Sequence, residues 1–536
     1  MKFFLTSIGG GITGIETLIS CVKMIKNNLR KIKIKNKIIF SIIDKDPSNI
    51  PGGVAYGFQK SLYGYFNNPL RLSPPKFVHW VLKDKNKKKL IEYLTNHGGH
   101  TGKIWLKKNK KIFVSKKHKN HKELYVPRVM MNYWMQEKFV TILKMIEKNS
   151  NIFQIRFFKG EIIGLKKNKN YFDLIFKNNL CEEQHYKILK NQINHISFKK
   201  KMKTKKKLSS KNLNIGLGLP PPRQIANLNV QNNPNYIWDF YDKGSTNYLI
   251  ERIKSLTKIQ KKITIYFVGY KAGLLEALPE LAQFIEKNKL KIKIICSSSE
   301  LQSIQKAELS RNKKSYSTKF FKKSSLLKIN TAEKLFLTIN KEFKNSIIKG
   351  YHKYDAWTYI LKNNIIYKII KKFNLIEKRK YDDFFHDKIR GITRFTYPET
   401  IRARELLFKK KILVAKKEKV QDINSNNRSL SVKTINKFNR IKKYKCDIVV
   451  NVSGPLNAEN IKKEIPLIEN LKKIGAKTVS GALNVNNDFQ IVGLNNIYVP
   501  GTLSRGFNPE RKTIINAILK NSNSVASSIN RTITKK

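Results

Sequence analysis

Residues 3–14, FFLTSIGGGITG, constrain this chain more than any other stretch. A short apolar run ends in three glycines. Apolar residues then recur at Ile12, Ile15, Leu18, Ile19, Val22, Ile25 and Leu29. That spacing predicts a buried strand, a glycine turn and an amphipathic helix. Residues 38–43, IIFSII, predict a second buried strand, which Asp44 ends. Together these make one βαβ unit, with the glycines falling as Gly9-x-Gly11-x-x-Gly14. Gly9 permits the tight turn, Gly11 lets a pyrophosphate approach the backbone, and Gly14 allows close helix–strand packing. The helix start offers free N–H groups and a positive dipole end to phosphates. Asp44 stands where a carboxylate can accept from ribose hydroxyls. Its distance from Gly14 exceeds the usual ~20 residues because the helix and its Lys-rich turn are long.

A second βαβ candidate begins near 262. KITIYFVG predicts a strand, AGLLEALPELAQFIEKN a helix, and LKIKIICSS the next strand. Gly269 keeps the first glycine of the motif, but Lys271 stands where the second belongs. Its long side chain obstructs close pyrophosphate approach, although the ammonium could itself meet a phosphate. At roughly 150 residues per domain, 536 residues suggest more than one domain, and the two βαβ units make two the working number.

Elsewhere, PGGVAYG and FNNPLRLSPP predict ordered loop over 50–80. Helical spacing covers 129–148, and 152–176 alternates as two or three strands. The acid-free run FKKKMKTKKKLSSK, 198–211, predicts an exposed loop. NLNIGLG then reads as a strand leading into PPPR. Residues 332–348, 356–376 and 399–409 look helical. CDIVVNVSGPL and NNIYVPG read as strand then turn, and 511–530 as a closing helix.

Lys and Arg number 108 against 37 Asp and Glu, a formal net charge of +71. Such charge could collect a polyanion such as nucleic acid. The basic residues are dispersed, however, and Lys, Asn and Ile dominate everywhere, which favours compositional bias. The four cysteines, Cys21, Cys181, Cys296 and Cys446, form no CxxC pair. That argues against a disulfide framework, a structural zinc or a dithiol reductase, and makes a reducing cytoplasm the expected location. No run of about 18 apolar residues exists, so no membrane span is expected. The first residues lack a good signal-peptide cleavage site.

Weaker constellations read first as solvated surface. These are His97-x-x-His100, His118-x-x-His121, the cluster Asp382, Asp383, His386 and Asp387, and the group Tyr397, Glu399, Arg402 and Arg404. No metal site is expected. No GxSxG elbow, P-loop or HExxH occurs.

IGGGITGIETLI, PGGVAYG, FNNPLRLS and YVPR, in that order, resemble FAD/NAD(P)-binding flavoproteins of the two-dinucleotide-domain type. Within them the pattern is similar to FAD-dependent urate hydroxylase-like proteins, neighbours of the N-hydroxylating flavin monooxygenases. NIGLGLPPPR, CDIVVNVSGPLN and NNIYVPGTLSRGFNPERKTI continue the pattern loosely to the far end. The resemblance implies that Gly9, Gly11, Gly14 and Asp44 hold the ADP half of FAD. It implies that Gly53, Tyr56 and Gly57 lie in a loop near the flavin, with Asn67 also lining the cofactor. Arg128 of YVPR would pair with phosphate or shape the flavin pocket, and Gly501 would approach the flavin end. Thr502 follows Gly501 where the common flavin signature has aspartate.

The fold class so implied is α/β. A discontinuous Rossmann-like FAD-binding domain, 1–225 and 441–536, holds an inserted NAD(P)-binding-like βαβ domain at 226–440. The expected activity is that of a FAD-dependent oxidoreductase, with an NAD(P)H-driven monooxygenase of a small molecule as one form. NAD(P)H would dock at 262–300. Two alternatives stay open: a FAD-dependent RNA-modifying protein, and a non-enzymatic FAD- or nucleotide-binding module. No catalytic residue can be assigned.

Overall fold

The computed structural model describes residues 1–536 apart from 32–35, 58–63, 68, 116–122, 190–195, 205–206, 243, 271, 300, 302–303, 308–314, 364, 427–428, 480, 505–513 and 535–536. Within its elements the side chains of 31, 202–204, 228, 272, 323–324, 382–383, 387, 390, 426, 514–515 and 534 are also outside the description.

The opening apolar run forms β1 (Lys2–Ile8), followed by α1 (Ile12–Asn27) and β2 (Ile38–Asp44). Both strands are buried through their middles, as a parallel sheet covered on both faces requires. β3 (Phe153–Lys159), β4 (Ile162–Asn168), β5 (Tyr171–Phe176), β6 (Cys181–Ile188), β7 (Ile196–Thr204) and β8 (Ser209–Ile215) complete most of the first sheet. Its parallel centre runs β3, β2, β1, β8 and the short strand Ile497–Tyr498. The pair β4–β5 joins β8 antiparallel, and β6–β7 extends antiparallel beyond β3. The closing helix Ile514–Thr534 packs on α1, where Ser20 donates to Asn523 Oδ1 at 2.7 Å.

The second unit repeats this plan. Its parallel sheet runs Leu413–Lys416, Lys291–Ser297, Lys262–Val268, Ile448–Asn451 and Tyr236–Ile237. Helix Ala272–Lys287 follows the central strand, and Leu274, Ala277, Leu278 and Leu281 bury its apolar face. A three-stranded antiparallel sheet, Glu418–Asn426, Ser429–Asn436 and Ile441–Cys446, covers the other side. Helices between 332 and 392 enclose a separate core around Leu335, Ile339, Phe343, Ile360 and Ile369. Two connectors join the units side by side: the Leu456 amide donates to the Pro221 carbonyl at 3.1 Å, and Pro222 pairs with Pro455.

Several sequence expectations need correction. The basic stretch 198–211 is no loop: it contains most of β7 and the start of β8. β7 lies at the sheet edge, where exposed lysines such as Lys199, Lys200 and Lys201 discourage pairing with another chain. Within 50–80, Pro75–Val81 is helical, with Phe77 and Val81 buried. The 356–376 helix is two, Lys353–Lys362 and Ile365–Ile370. Residues 418–446, for which the sequence suggests no strand before CDIVV, are mostly strand. Strand Ile448–Asn451 sits in the second sheet, so the chain returns to the first unit later than residue 441.

Candidate functional site

The first glycine turn is held from both sides. Gly9 has φ +98°, and a side chain there would press on the Gly216 carbonyl oxygen at 2.5 Å. A β-carbon on Gly14 would overlap the Gly9 carbonyl oxygen and come within 2.5 Å of Ser7 Oγ. These contacts are with backbone and a buried strand residue, so only glycine lets α1 approach β1 this closely. Gly11 precedes α1, and its first turn carries no acidic residue. No acidic side chain of that turn competes for its N–H groups, as suits an anion site.

The Gly10 amide donates to Asp44 Oδ2 at 2.6 Å, and the Asp46 amide to Oδ1 at 2.8 Å. Asp44 thus ties the turn to the end of β2 while its carboxylate keeps further acceptor capacity. Burial pushes its carboxyl above the ordinary range, and the two amides pull the other way. Gly53, with φ +65°, faces Gly11: a β-carbon on Gly53 would lie 3.1 Å from the Gly11 α-carbon. Gly57 closes the short helix Gly53–Tyr56 through its amide, which donates to the Gly53 carbonyl at 2.8 Å. Gly501 lies beside the first turn of α1, its added β-carbon 3.5 Å from Thr13 Cγ2.

Around this loop, buried acceptors lack partners among the described residues: Asn49 Oδ1, Asn132 Oδ1 and Gln136 Oε1. Asn132 and Gln136 are four apart on helix Val129–Lys148, hence on one face. Asn132 Oδ1 lies 2.6 Å from where a Gly52 β-carbon would stand, and the Gln136 amide donates to the Ile50 carbonyl at 3.1 Å. Unpaired buried oxygens are costly unless something donates to them.

The second turn keeps only part of this design. Gly269 has φ +113°, and a β-carbon there would meet Ser453 Cα and the Val452 carbonyl oxygen, each at 2.8 Å. Its amide donates to the Ser297 carbonyl at 2.8 Å, as that of Gly9 does to Ile43. Lys271 lies outside the described residues. Leu274 stands in the place of Gly14, and Ser298 in the place of Asp44.

Between the units a small cleft is lined by Tyr65, Asn67, Arg128, Glu276, Thr396 and Tyr397, among others. Arg128 reaches it, and its guanidinium is engaged by groups of the chain. Its guanidinium pairs with Glu276 at 2.9 Å and donates to the Tyr65 carbonyl at 3.0 Å. Burial works against the Arg128 charge, yet Glu276, Tyr241 and Tyr56 together outweigh it and hold the group more basic than usual. Thr396 donates to Asn67 Oδ1 at 3.4 Å. Tyr65 stacks on Tyr397, ring centroids 4.7 Å apart, and its buried hydroxyl has no partner among the described residues. Burial lifts the Tyr65 phenol well above its ordinary range, so it stays a donor.

The structure brings Gly9, Gly11, Gly14, Asp44, Gly53 and Gly501 together at one end of the first sheet. Tyr56 lies at the edge of this group, its ring 6.0 Å from that of Phe66. Asn67 and Arg128 belong to the cleft, and Gly269 to the second turn. Glu399 pairs with Lys108 at 2.8 Å and with Arg402, while Arg404 donates to the Ile304 carbonyl at 3.2 Å. The amide of His100 donates to Glu280. His118 and His121 lie outside the described residues, as do the side chains of Asp382, Asp383 and Asp387. Among the described residues no group of three or more His, Cys, Asp or Glu could hold a metal, and no helix is long and apolar enough to cross a membrane.

Sequence reasoning missed Tyr65, Glu276 and Glu280. The glutamates carried a signal: two carboxylates four apart within LLEALPELAQF share a helix face that is otherwise apolar. Tyr65 carried none, because its partner Tyr397 is remote in sequence.

No protein-family model matches the chain, and no curated protein matches it in sequence. Solved structures do match in fold. The ornithine N-hydroxylase of Kutzneria sp. 744 aligns over 99% of this chain and 100% of its own, at 10% identity and a TM-score of 0.53. The ornithine hydroxylase of Pseudomonas aeruginosa aligns over 100% of both chains, at 9% identity and a TM-score of 0.53. The cadaverine monooxygenase of desferrioxamine biosynthesis from Erwinia amylovora, solved with FAD, covers 100% of this chain and 95% of its own, at 11% identity and a TM-score of 0.52. The chain therefore has the fold of FAD/NAD(P)-binding flavoproteins with two dinucleotide-type units, over its whole length.

Proposed function

We propose that this chain is a FAD-dependent oxidoreductase that works as an NAD(P)H-driven monooxygenase of a small molecule. The observation that carries the reading is the first turn: Gly9, Gly11 and Gly14 open α1 toward Gly53 while Asp44 ends β2. Such a turn suits a pyrophosphate on the helix start and a ribose on the acid. The unpaired oxygens of Asn49, Asn132 and Gln136 fit a ligand that brings N–H donors, as the isoalloxazine edge does. When bound, FAD would supply the redox chemistry, accepting hydride from reduced pyridine nucleotide and passing electrons to O₂.

The chain's own residues would bind, orient and exclude water. α1 and Asp44 would anchor the ADP half, and the loop 49–57 would border the flavin. Gly501 would back the first turn of α1. Gly269 would open the pyridine-nucleotide unit, where Ser298 carries no charge to repel a phosphate. The cleft would receive the substrate, with Tyr65 donating a hydrogen bond from a phenol that stays protonated. The ion pair of Arg128 and Glu276 would keep that cleft closed to bulk water and close to neutral.

The named neighbours act on ornithine or cadaverine, which makes small amines the first substrate class to test. FAD-loaded protein should consume O₂ with NADPH, faster when a suitable amine is present, and a hydroxylamine product should accumulate. Absence of NADPH and NADH oxidation by FAD-loaded protein, with or without amines, would contradict the reading.

A further inference from the structure

The helix that opens the second nucleotide unit also reaches back into the first. Glu276 and Glu280 leave helix Ala272–Lys287 on one face, one turn apart, and both are buried. Glu276 pairs with Arg128 at 2.9 Å. It can come this close because Gly64 has no side chain: a β-carbon there would stand 2.8 Å from Glu276 Oε1. Glu280 Oε1 accepts from the Thr101 amide at 2.8 Å and from the Thr101 hydroxyl at 2.7 Å. Glu280 Oε2 accepts from the His100 amide at 3.0 Å. These donors open helix Gly99–Val114, whose preceding residue, Gly98, makes no side-chain cap. The cap is supplied instead by the other unit. A carboxylate at a helix start is favoured by both hydrogen bonding and the dipole.

The covalent tie between the units is narrow by comparison. It consists of the two connectors that pair at Pro221–Pro222 and Pro455–Leu456. A pair of strands at one side leaves a unit free to pivot, and contacts on another side remove that freedom. Beside the Tyr65–Tyr397 stack and the Lys108–Glu399 pair, the two glutamates are the buried contacts that start from helix Ala272–Lys287. We propose that Glu276 and Glu280 form a latch that holds the second unit in register with the FAD unit. Glu280 is then a positioning residue for hydride transfer, since the helix that carries it begins at the second glycine turn. A misplacement of about 1 Å can cost on the order of 100-fold in rate. The hydride-transfer part rests on the proposed NAD(P)H reading; the latch itself rests on the contacts.

The test uses full-length, FAD-loaded protein with Glu280→Ala and Glu280→Gln. The glutamine keeps one acceptor oxygen and so should lie between wild type and alanine. Flavin absorbance and reduction by dithionite should stay as in wild type. Anaerobic reduction by NADPH should slow at least tenfold in Glu280→Ala and less in Glu280→Gln. Amide hydrogen exchange in the connectors, 218–224 and 452–457, should speed up in the same order. Wild-type exchange in the connectors of a folded Glu280→Ala protein would overturn the latch. Faster exchange with unchanged NADPH reduction would overturn the positioning role. If wild type itself is not reduced by NADPH or NADH, the nucleotide reading fails, and the exchange rates alone decide the latch. Should Glu280→Ala fail to fold, Thr101→Val, which removes only the hydroxyl contact, must give the same pattern on a smaller scale.

Discussion

The two glycine turns share a skeleton and differ in what is built on it. Gly9 and Gly269 both take left-handed backbone, and both send an amide 2.8 Å to a neighbouring strand. At each, a side chain would strike the backbone that follows the adjoining strand. That first glycine thus serves the βαβ turn itself. Beyond it the turns part. The first has Gly14 and Asp44; the second has Leu274 and Ser298 in those places. Close helix approach and an acid are features a bound dinucleotide uses. The second helix instead turns two carboxylates toward the other unit. Keeping the first glycine therefore says "βαβ turn", and only the later positions say how tightly a ligand is held.

The largest contrast should come from adding one methyl group to each helix start. Gly14→Ala meets a carbonyl and a strand side chain that cannot retreat, and should cost roughly 3 kcal/mol and yield protein without FAD. Gly273→Ala meets the Val452 side chain, Cγ1 at 2.8 Å and Cβ at 3.1 Å, but no backbone carbonyl, and should cost about 1–2 kcal/mol with FAD retained. Thermal melts and flavin content of the two variants compare them directly; equal losses would erase the distinction.

Next in size is the strand-end position. Asp44→Ala should weaken FAD about 10- to 100-fold, the scale of hydrogen bonds to a charged group. Ser298→Ala should leave FAD affinity unchanged and raise the KM for pyridine nucleotide by at most about tenfold. Titration by flavin fluorescence and steady-state kinetics measure these.

The smallest effect is in pH dependence. Burial raises the Asp44 carboxyl above its unfolded value, so the folded chain holds that proton to higher pH. Its contribution to stability is therefore fully present below the ordinary carboxylate range and declines as pH rises through the raised value. Asp44→Asn does not titrate. The Tm of Asp44→Asn minus that of wild type should become more positive as pH rises through this window. A pH-independent difference would mean that Asp44 is not so perturbed.

What the sequence made legible was local. The turn at 9–14 and helix α1 follow from spacing within a few residues, and Asp44 needed only the end of an apolar run. Two kinds of feature were hidden. β7 was hidden by composition, because lysines on an edge strand look the same in sequence as lysines in a loop. Strand Ile448–Asn451 was visible as a strand, but nothing local tells which of two parallel sheets it joins. The cleft was hidden by distance: Tyr65 meets Tyr397, and Arg128 meets Glu276, only because two units dock. Arg128 was expected from its motif to pair with phosphate or shape the flavin pocket; its pairing with Glu276 was not legible.

The most direct measurement is the absorption spectrum of the purified protein, supplemented with FAD and washed, before and after anaerobic NADPH. Retained flavin bands that bleach on addition are the expected result, and they would join the first turn to FAD and the second to the reductant. A protein that stays colourless after FAD supplementation would contradict the assignment of Gly9, Gly11, Gly14 and Asp44 as a flavin-nucleotide site.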